Sequence, residues 1–97
     1  MSDRLTIIAK IEAKPEKLDE VKSAVLKLLE PTRKERGCIQ YDLHQDNEKT
    51  EVFIFVENWE SQELWDAHMQ SSHLQGFIKE IEGLLVDLTV HQMSQIG

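Results

Sequence analysis

The alternation of apolar and polar residues predicts four β-strands. In Leu5–Ala13, apolar side chains recur at every second position, which is the period of a strand with one buried face. The same period marks Cys38–Gln45 and Leu84–Val90. Glu51–Trp59 is apolar on both faces, which is typical of an inner strand that is covered on two sides.

The alternation also predicts which side chains share a face of the sheet. In the second strand, Cys38 and His44 face away from the group formed by Ile39, Tyr41 and Leu43. In the last strand, four apolar residues share one face: Leu84, Val86, Leu88 and Val90. Since Tyr41 and His44 point to opposite faces, at most one of them should reach any single pocket.

Helical spacing replaces the alternation between the first two strands. Pro15 fits the first turn of a helix, because its missing N–H is not needed there. An apolar stripe follows at helical spacing, made of Leu18, Val21, Val25, Leu28 and Leu29. Pro31 is expected to kink or end this helix, and a polar turn continues from there to Gly37.

Helical spacing returns after the third strand. Ser61 is a good N-cap for a short helix that runs through His68, and Ser71 or Ser72 restarts a helix. The apolar stripe of the restarted helix is Leu74, Phe77, Ile78 and Ile81. Gly83 is expected to close it before the last strand.

The predicted order of elements is β-α-β-β-α-β. This is the ferredoxin-like α+β arrangement, an antiparallel sheet with both helices on one face. The 97 residues are expected to form a single domain, 1–97, with a hairpin turn at 46–50. One face of the sheet is left open, and an uncovered apolar face predicts a homodimer joined sheet to sheet.

Composition narrows the classes of function. The net charge of −7, with no basic cluster, argues against nucleic acid and against an anionic membrane surface. The longest apolar runs are about five or six residues, far short of the ~20 that span a bilayer. Cys38 is the only cysteine and the N-terminus carries no secretory pattern, so a cytoplasmic protein is expected.

One stretch, Glu57–His73, has the composition of a small-molecule site. It holds both tryptophans and two of the four histidines, and such a site needs apolar walls with a few placed polar groups. His68 and His73 are candidate bases, because imidazole exchanges a proton near neutral pH. A buried Glu57 would have a raised pKa, so that it could act as an acid or orient a histidine.

Aromatic residues are candidates for substrate binding. Trp59, Trp65 and Phe77 could form apolar walls around an aromatic substrate. Tyr41 could donate a hydrogen bond to a substrate oxygen, and His44 is a further candidate.

Each candidate also has an ordinary structural interpretation. His68 could pack on Trp59 at a helix end, and His73 could cap a helix or lie on the surface. The tryptophans and Tyr41 could be core residues, and Cys38 is expected to be a buried strand cysteine rather than a nucleophile. No metal is expected, because five residues of separation on one helix would turn the two histidine rings ~140° apart and no Cys or carboxylate completes a convincing ligand set.

Two segments carry a resemblance to a known family. Gly37-Cys-Ile-Gln-Tyr-Asp-Leu-His44 is similar to a G-C-x-x-Y-x-L strand. Glu57-Asn-Trp-Glu-Ser61, followed by His68 and Ser72-His73-Leu74, is similar to an E-x-W-x-S … H … S/T-x-H stretch. Both resemble the antibiotic biosynthesis monooxygenase (ABM) family, of the quinol-monooxygenase type. The resemblance runs from Leu5 to about Val90 and implies a dimeric α+β barrel.

The resemblance implies several activities. Members include cofactor-independent oxygenases of phenols or quinols, haem-degrading enzymes, an isomerase of a phosphorylated autoinducer-2 breakdown intermediate, and members without assigned activity. The haem-degrading branch is disfavoured, because this chain has Lys10, His68 and Ile78 near the places of that branch's Asn, Trp and His.

The residues and the resemblance together predict a monooxygenase that uses no flavin, haem or metal. A base would remove a proton from a small phenol or quinol, and the anion would pass an electron to O₂ between walls that exclude water. An isomerase of a small phosphorylated ketone is an alternative; its possible phosphate anchors are Arg33, Lys34, Arg36 and Lys79. A non-catalytic dimeric binding domain is another alternative.

Overall fold

Residues 4–97, described by a computed structural model, build a four-stranded antiparallel sheet. Its strands are β1 (Leu5–Ala13), β2 (Cys38–Gln45), β3 (Val52–Trp59) and β4 (Leu85–Met93). They lie in the order β2-β3-β1-β4, and every neighbouring pair is antiparallel. With a helical crossover after β1 and another after β3, this order confirms the ferredoxin-like α+β fold.

The first crossover contains two helices in place of the single one expected. A 3₁₀ turn at Pro15–Lys17 leads into α1 (Leu18–Lys27), and α2 (Leu29–Arg33) follows after a break at Leu28. Pro31 therefore lies in the first turn of α2, where the backbone N–H has no helical partner to lose. The helix breaks before the proline, and the proline then fits the start of the next helix.

The second crossover also contains two helices, and both begin at the predicted kind of cap. In α3 (Gln62–Met69), the backbone N–H of Leu64 donates to Ser61 Oγ over 3.2 Å. In α4 (Ser72–Glu80), the N–H of Leu74 donates to Ser71 Oγ over 3.3 Å, which identifies Ser71 as the cap. Each cap satisfies a backbone donor that the helix start leaves free.

The core lies between the helices and one face of the sheet. The sheet contributes Ile7, Ile11, Phe53, Phe55 and Trp59, and the helices contribute Val21, Val25, Leu74 and Phe77. All of these side chains are buried. Burial of this kind yields roughly 1.5–3 kcal/mol for each large apolar side chain, and it holds α3 and α4 against β1 and β3.

A bulge at Ile39 changes the predicted faces of β2. Cys38 pairs with Trp59 and Gln40 pairs with Asn58, which leaves Ile39 as the extra residue. Ile39 is 45% exposed, and Cys38 lies on the same face as Tyr41. The prediction that Ile39 shares the face of Tyr41 is therefore wrong, because the bulge shifts the alternation by one residue.

A second bulge changes the predicted faces of β4. Leu85 pairs with Ala13 and Asp87 with Glu12, so Val86 is the extra residue and is 60% exposed. Leu88 and Val90 lie opposite Ile11 and Ala9, on the helix-facing side of the sheet. The prediction that Val86 shares their face is wrong for the same reason as in β2.

The face of the sheet without helices is mixed in character. Ile8, Ile54 and Val56 form its half-buried apolar centre. A polar chain crosses it at one end, since Thr6 Oγ1 lies 2.6 Å from Asn58 Oδ1 and Asn58 Nδ2 lies 2.5 Å from Gln40 Oε1. This face is therefore less apolar than the sequence pattern of β3 alone predicted.

Among residues 4–97, no helix has the length and apolar character needed to cross a membrane.

Replacing Gly37 by alanine should destabilise the protein more than the same change at Gly83. Both glycines have positive φ, +86° and +80°, which costs an alanine about 1–2 kcal/mol. A Cβ at Gly37 would also overlap the Leu64 side chain, whereas a Cβ at Gly83 would meet no atom within 4 Å. The overlap should add about 1–3 kcal/mol to the stability that Gly37→Ala loses. Urea unfolding measures the free energy of unfolding of both variants.

The matched control is Gly76→Ala in α4, where a Cβ has open space. Alanine favours a helix over glycine by roughly 0.5–1 kcal/mol, so this variant should be slightly more stable. Equal losses for Gly37→Ala and Gly83→Ala would contradict the close approach of α3 to the β2 turn.

Candidate functional site

A cavity of about 90 Å³ lies between the helix-facing side of the sheet and the helices. Most of its wall is apolar and includes Ile7, Ile11, Phe55, Trp65, Phe77 and Leu88. Three polar side chains reach it, which are Tyr41, Glu57 and His68. Apolar walls with a few polar groups are the pattern of a small-molecule site.

The cavity brings together five of the eight residues predicted from the sequence: Tyr41, Glu57, Trp65, His68 and Phe77. Trp59 is fully buried and packs behind His68 instead of lining the cavity. His44 is exposed on the opposite face of the sheet, as the alternation from Tyr41 predicted. His73 lies on α4 outside the cavity lining.

Glu57 is a buried carboxyl group in the wall of the cavity. It is 4% exposed, and Trp59 Nε1 donates a hydrogen bond of 2.9 Å to its Oε1. Burial raises the pKa of Glu57 to about 7; the hydrogen bond from Trp59 opposes this rise and the charge of Glu35 adds to it. Glu57 can therefore carry or release a proton near neutral pH.

His68 is the buried imidazole of the site. It lies in the last turn of α3 and is 2% exposed, with its ring centroid 4.8 Å from that of Trp59. Burial lowers the pKa of His68, although the hydrogen bond to Glu35 works in the other direction. At neutral pH His68 is therefore a neutral ring with one basic nitrogen.

Glu35 joins both histidines, although nothing in the sequence pattern distinguishes it from the other polar residues of its turn. It lies on the turn between α2 and β2, and its Oε2 is 2.6 Å from His68 Nδ1 and 2.8 Å from His73 Nε2. Glu57 was the expected orienting carboxylate, but its partner is Trp59. Glu35 is 33 residues from His68 along the chain, so no local motif connects them.

The second ring nitrogen of His68 is open. Nε2 has no hydrogen-bond partner among the described residues. In residues 4–97, Thr32 Oγ1 is the only side-chain polar atom that is both enclosed and without a partner. His68 Nε2 is therefore not enclosed. Because His68 lines the cavity, we place the accessible Nε2 at the cavity wall. This nitrogen can accept a proton from a bound molecule.

Tyr41 and Cys38 stay protonated beside the cavity. Burial, followed by the negative charge of Glu57, raises the pKa of the Tyr41 phenol beyond its usual range. Burial likewise raises the pKa of the Cys38 thiol to about 11, with Glu57 adding to the effect. Tyr41 can thus donate a hydrogen bond, and Cys38 lacks the thiolate that a nucleophile needs.

Glu35, His68 and His73 form the one group in the described residues that resembles a metal ligand set, with its ligand atoms within 4.8 Å of one another. The expected divergence of the rings does not hold, because the histidines lie on different helices. However, two ligands ~2.1 Å from a tetrahedral Zn²⁺ are ~3.4 Å apart. The observed 2.6 and 2.8 Å are hydrogen-bond distances, so these residues fit a hydrogen-bonded cluster better than a metal centre.

A family model and several proteins are similar to this chain. The model described as "Antibiotic biosynthesis monooxygenase" matches residues 4–80. The Bacillus subtilis protein named "Putative monooxygenase YcnE" is 30% identical over 94 residues, which cover 94% of this chain and 99% of that protein. The Synechocystis protein sll1783 is 30% identical over 83 residues; they cover 86% of this chain but 56% of that protein.

Solved structures agree with the fold. The crystal structure of PA3566 from Pseudomonas aeruginosa superposes with a TM-score of 0.94 at 33% identity, over 100% of this chain and 98% of the other. A crystal structure described as antibiotic biosynthesis monooxygenase superposes with a TM-score of 0.90 at 32% identity, over 96% and 99% of the two chains.

Glu57 should contribute stability that is lost as the pH rises from 4.5 through about 7, because the native state holds a proton on Glu57 that the unfolded chain has released. A rise of the pKa from 4.5 to about 7 corresponds, at ~1.36 kcal/mol per pH unit, to about 3 kcal/mol. Glu57→Gln cannot ionise and keeps an acceptor for Trp59. It should therefore be more stable than the wild type above neutral pH.

Urea unfolding near pH 5 and near pH 8 measures this difference. The control is Glu60→Gln, which removes an exposed carboxylate just after β3. Its stability should differ from that of the wild type by the same amount at both pH values. A Glu57→Gln variant with the same stability difference from wild type at both pH values would show that Glu57 is not protonated in the native state.

Proposed function

Because this chain belongs to the antibiotic biosynthesis monooxygenase family, we propose that it oxidises a small phenol or quinol with O₂, without flavin, haem or metal. The observation that carries the proposal is that His68, whose Nε2 has no partner among the described residues, lines an apolar cavity together with Glu57 and Tyr41. A base, a proton donor and dry walls are what such a reaction needs from a protein.

The size of the cavity narrows the substrate class. Its volume of about 90 Å³ is smaller than the ~150 Å³ of an engineered cavity that holds benzene. A single aromatic ring therefore fits only if it protrudes or if side chains at the open side move, such as Met69 and the half-exposed Leu88. The proposed substrate is a single-ring phenol or quinol, and a fused polycyclic compound is too large.

The proposed reaction gives each group one role. His68 Nε2 takes a proton from a substrate hydroxyl, and the resulting anion transfers an electron to O₂. For a quinol, the overall change is quinol plus O₂ to hydroxyquinone plus water, with all four electrons supplied by the substrate. Tyr41 donates a hydrogen bond to oxygen, and Glu57 supplies a proton to the reduced oxygen atom, since its pKa is about 7.

The isomerase alternative receives no support from the cavity. A phosphorylated substrate needs a cationic anchor, and no Lys or Arg is among the residues that line the cavity. Arg33 instead pairs with Asp42 over 3.3 Å, and Lys34 pairs with Glu30 over 3.4 Å.

The binding-domain alternative differs from the oxygenase in predicting that substitutions in the cavity change stability alone.

We propose in addition that the active form is a cytoplasmic homodimer joined through the open face of the sheet. The supporting observation is the half-buried apolar centre of that face, which consists of Ile8, Ile54 and Val56. An apolar sheet face that faces water is unfavourable and is commonly covered by a partner.

Light scattering should then give a molar mass of twice the 11.3 kDa of the chain, and a mass of one chain would contradict the dimer.

His68→Ala should reduce O₂ uptake at least ~10²-fold, the usual contribution of a general base. Uptake is measured with the metal-free protein and a panel of single-ring hydroquinones, and circular dichroism checks that the variant is folded. The matched control is Asp66→Ala, since Asp66 is an exposed residue of α3, the helix that carries His68, and should be dispensable.

Full activity of the folded His68→Ala variant would remove His68 from the mechanism. No uptake by the folded wild-type protein with any hydroquinone of the panel would count against the oxygenase and favour the binding domain.

A further inference from the structure

We propose that Glu35 is a positioning residue, which holds His68 with its hydrogen on Nδ1 and its basic Nε2 toward the cavity. We assign His73 the role of fixing Glu35 instead of acting as a second base. The catalytic meaning of this arrangement rests on the proposed function, whereas the arrangement itself can be tested without any substrate.

The chemistry of Glu35 locates the hydrogen on His68. A carboxylate accepts hydrogen bonds and has no hydrogen to give, so the 2.6 Å contact between Oε2 and His68 Nδ1 requires the hydrogen on Nδ1. His68 is 2% exposed, and a neutral imidazole carries a single ring hydrogen. Nε2 is therefore the nitrogen with the free lone pair, and it is also the one without a partner among the described residues.

His73 contacts the same carboxylate oxygen from a different helix. Its Nε2 lies 2.8 Å from Glu35 Oε2, and its side chain is 25% exposed. Glu35 lies on a turn, where a glutamate side chain is otherwise free to rotate, and two ring nitrogens on one oxygen restrict it. His73 is absent from the cavity lining, and its ring centroid is 6.1 Å from that of His68, so its hydrogen bond to the site is the one with Glu35.

The arrangement stabilises the product of proton transfer. When a substrate O–H bond breaks and an N–H bond forms at His68 Nε2, the ring becomes an imidazolium. Its positive charge then faces the Glu35 carboxylate across the existing Nδ1–H bond, which is a charge-assisted hydrogen bond. The other titratable groups around the ring are His73 from α4, Glu57 from β3 and Tyr41 from β2.

The direct test is ¹⁵N NMR of the histidine rings in the full-length protein at neutral pH. In the wild type, His68 should carry its hydrogen on Nδ1, although imidazole in water prefers Nε2. Glu35→Ala removes the acceptor and should return His68 to the Nε2–H form. Glu35→Gln keeps an acceptor oxygen, so the hydrogen should stay on Nδ1 while the lost charge lowers the pKa of His68 further.

The matched control is Glu30→Gln. Glu30 is an exposed residue of α2 that contacts Lys34, and its loss should leave the His68 signals unchanged. A wild-type His68 with its hydrogen on Nε2, or an unchanged tautomer in Glu35→Ala, would overturn the proposal. The wild-type spectrum alone decides the first point, even if the alanine variant fails to fold.

Activity supplies a second readout once a hydroquinone substrate is known. Glu35→Ala should lose ~10²-fold or more in rate, and in Glu35→Gln the acid limb of the pH–rate profile should move to lower pH. His73→Asn should reduce the rate by a smaller factor, because Glu35 keeps its contact with His68. If no hydroquinone is oxidised, the proposed function fails while the NMR result still decides the role of Glu35. A pH profile of Glu35→Gln identical to the wild type would overturn that role.

Discussion

The contact of one carboxylate oxygen with two imidazoles connects the parts of the chain that build this site. Glu35 belongs to the first crossover, His68 to α3 and His73 to α4, so Oε2 joins three segments that are distant in sequence. Without Glu35, His68 Nδ1 would be a buried polar atom without a partner, which costs about 1–3 kcal/mol. The same contact determines which nitrogen of His68 is basic, so structural and chemical roles coincide in it.

Burial has opposite effects on the two titratable groups of the cavity. It raises the pKa of Glu57 to about 7 and lowers that of His68, because an apolar surrounding disfavours the charged form of each. Near neutral pH the cavity therefore contains a proton donor and a neutral base together. These are the two functions that the proposed oxidation of a phenol by O₂ needs from the protein, and the apolar wall that causes both shifts also limits the access of water.

Local features were predictable from sequence, and features that depend on pairing were not. The strand at Leu5–Ala13 follows from the periodicity of its apolar residues. The cap at Ser61 follows from the residue type, because a serine hydroxyl accepts a hydrogen bond from the first turn of its own helix. The bulges at Ile39 and Val86 leave no trace in the pattern, since the alternation continues through them and only the partner strand reveals the extra residue. The order of the elements along the chain was therefore predictable, whereas the faces of Ile39 and Val86 were not.

The residues of the candidate site also divide into those that could be predicted from local sequence and those that could not. Glu57, His68 and Trp65 could be found because one stretch concentrates aromatic and titratable residues, and the fold places them on one cavity. Glu35 could not be found, since a glutamate in a polar turn is ordinary and its importance comes from helices that follow much later in the chain. His73 and His68 are equally good candidate bases by sequence, but their positions in the fold differ. The ring of His73 contacts Glu35 and does not line the cavity.

His68 is the proposed base toward a phenol inside an apolar cavity. The most direct measurement is anaerobic binding of 4-nitrophenol, a single-ring phenol whose anion absorbs visible light and which O₂ does not consume. If the basic Nε2 of His68 accepts the hydrogen of the phenol, binding to the wild-type protein should be lost as acidic pH protonates His68, and His68→Ala should bind the phenol weakly at every pH. Equal binding by the two proteins, or binding by the wild type that does not change with pH, would contradict the role of His68 as the base.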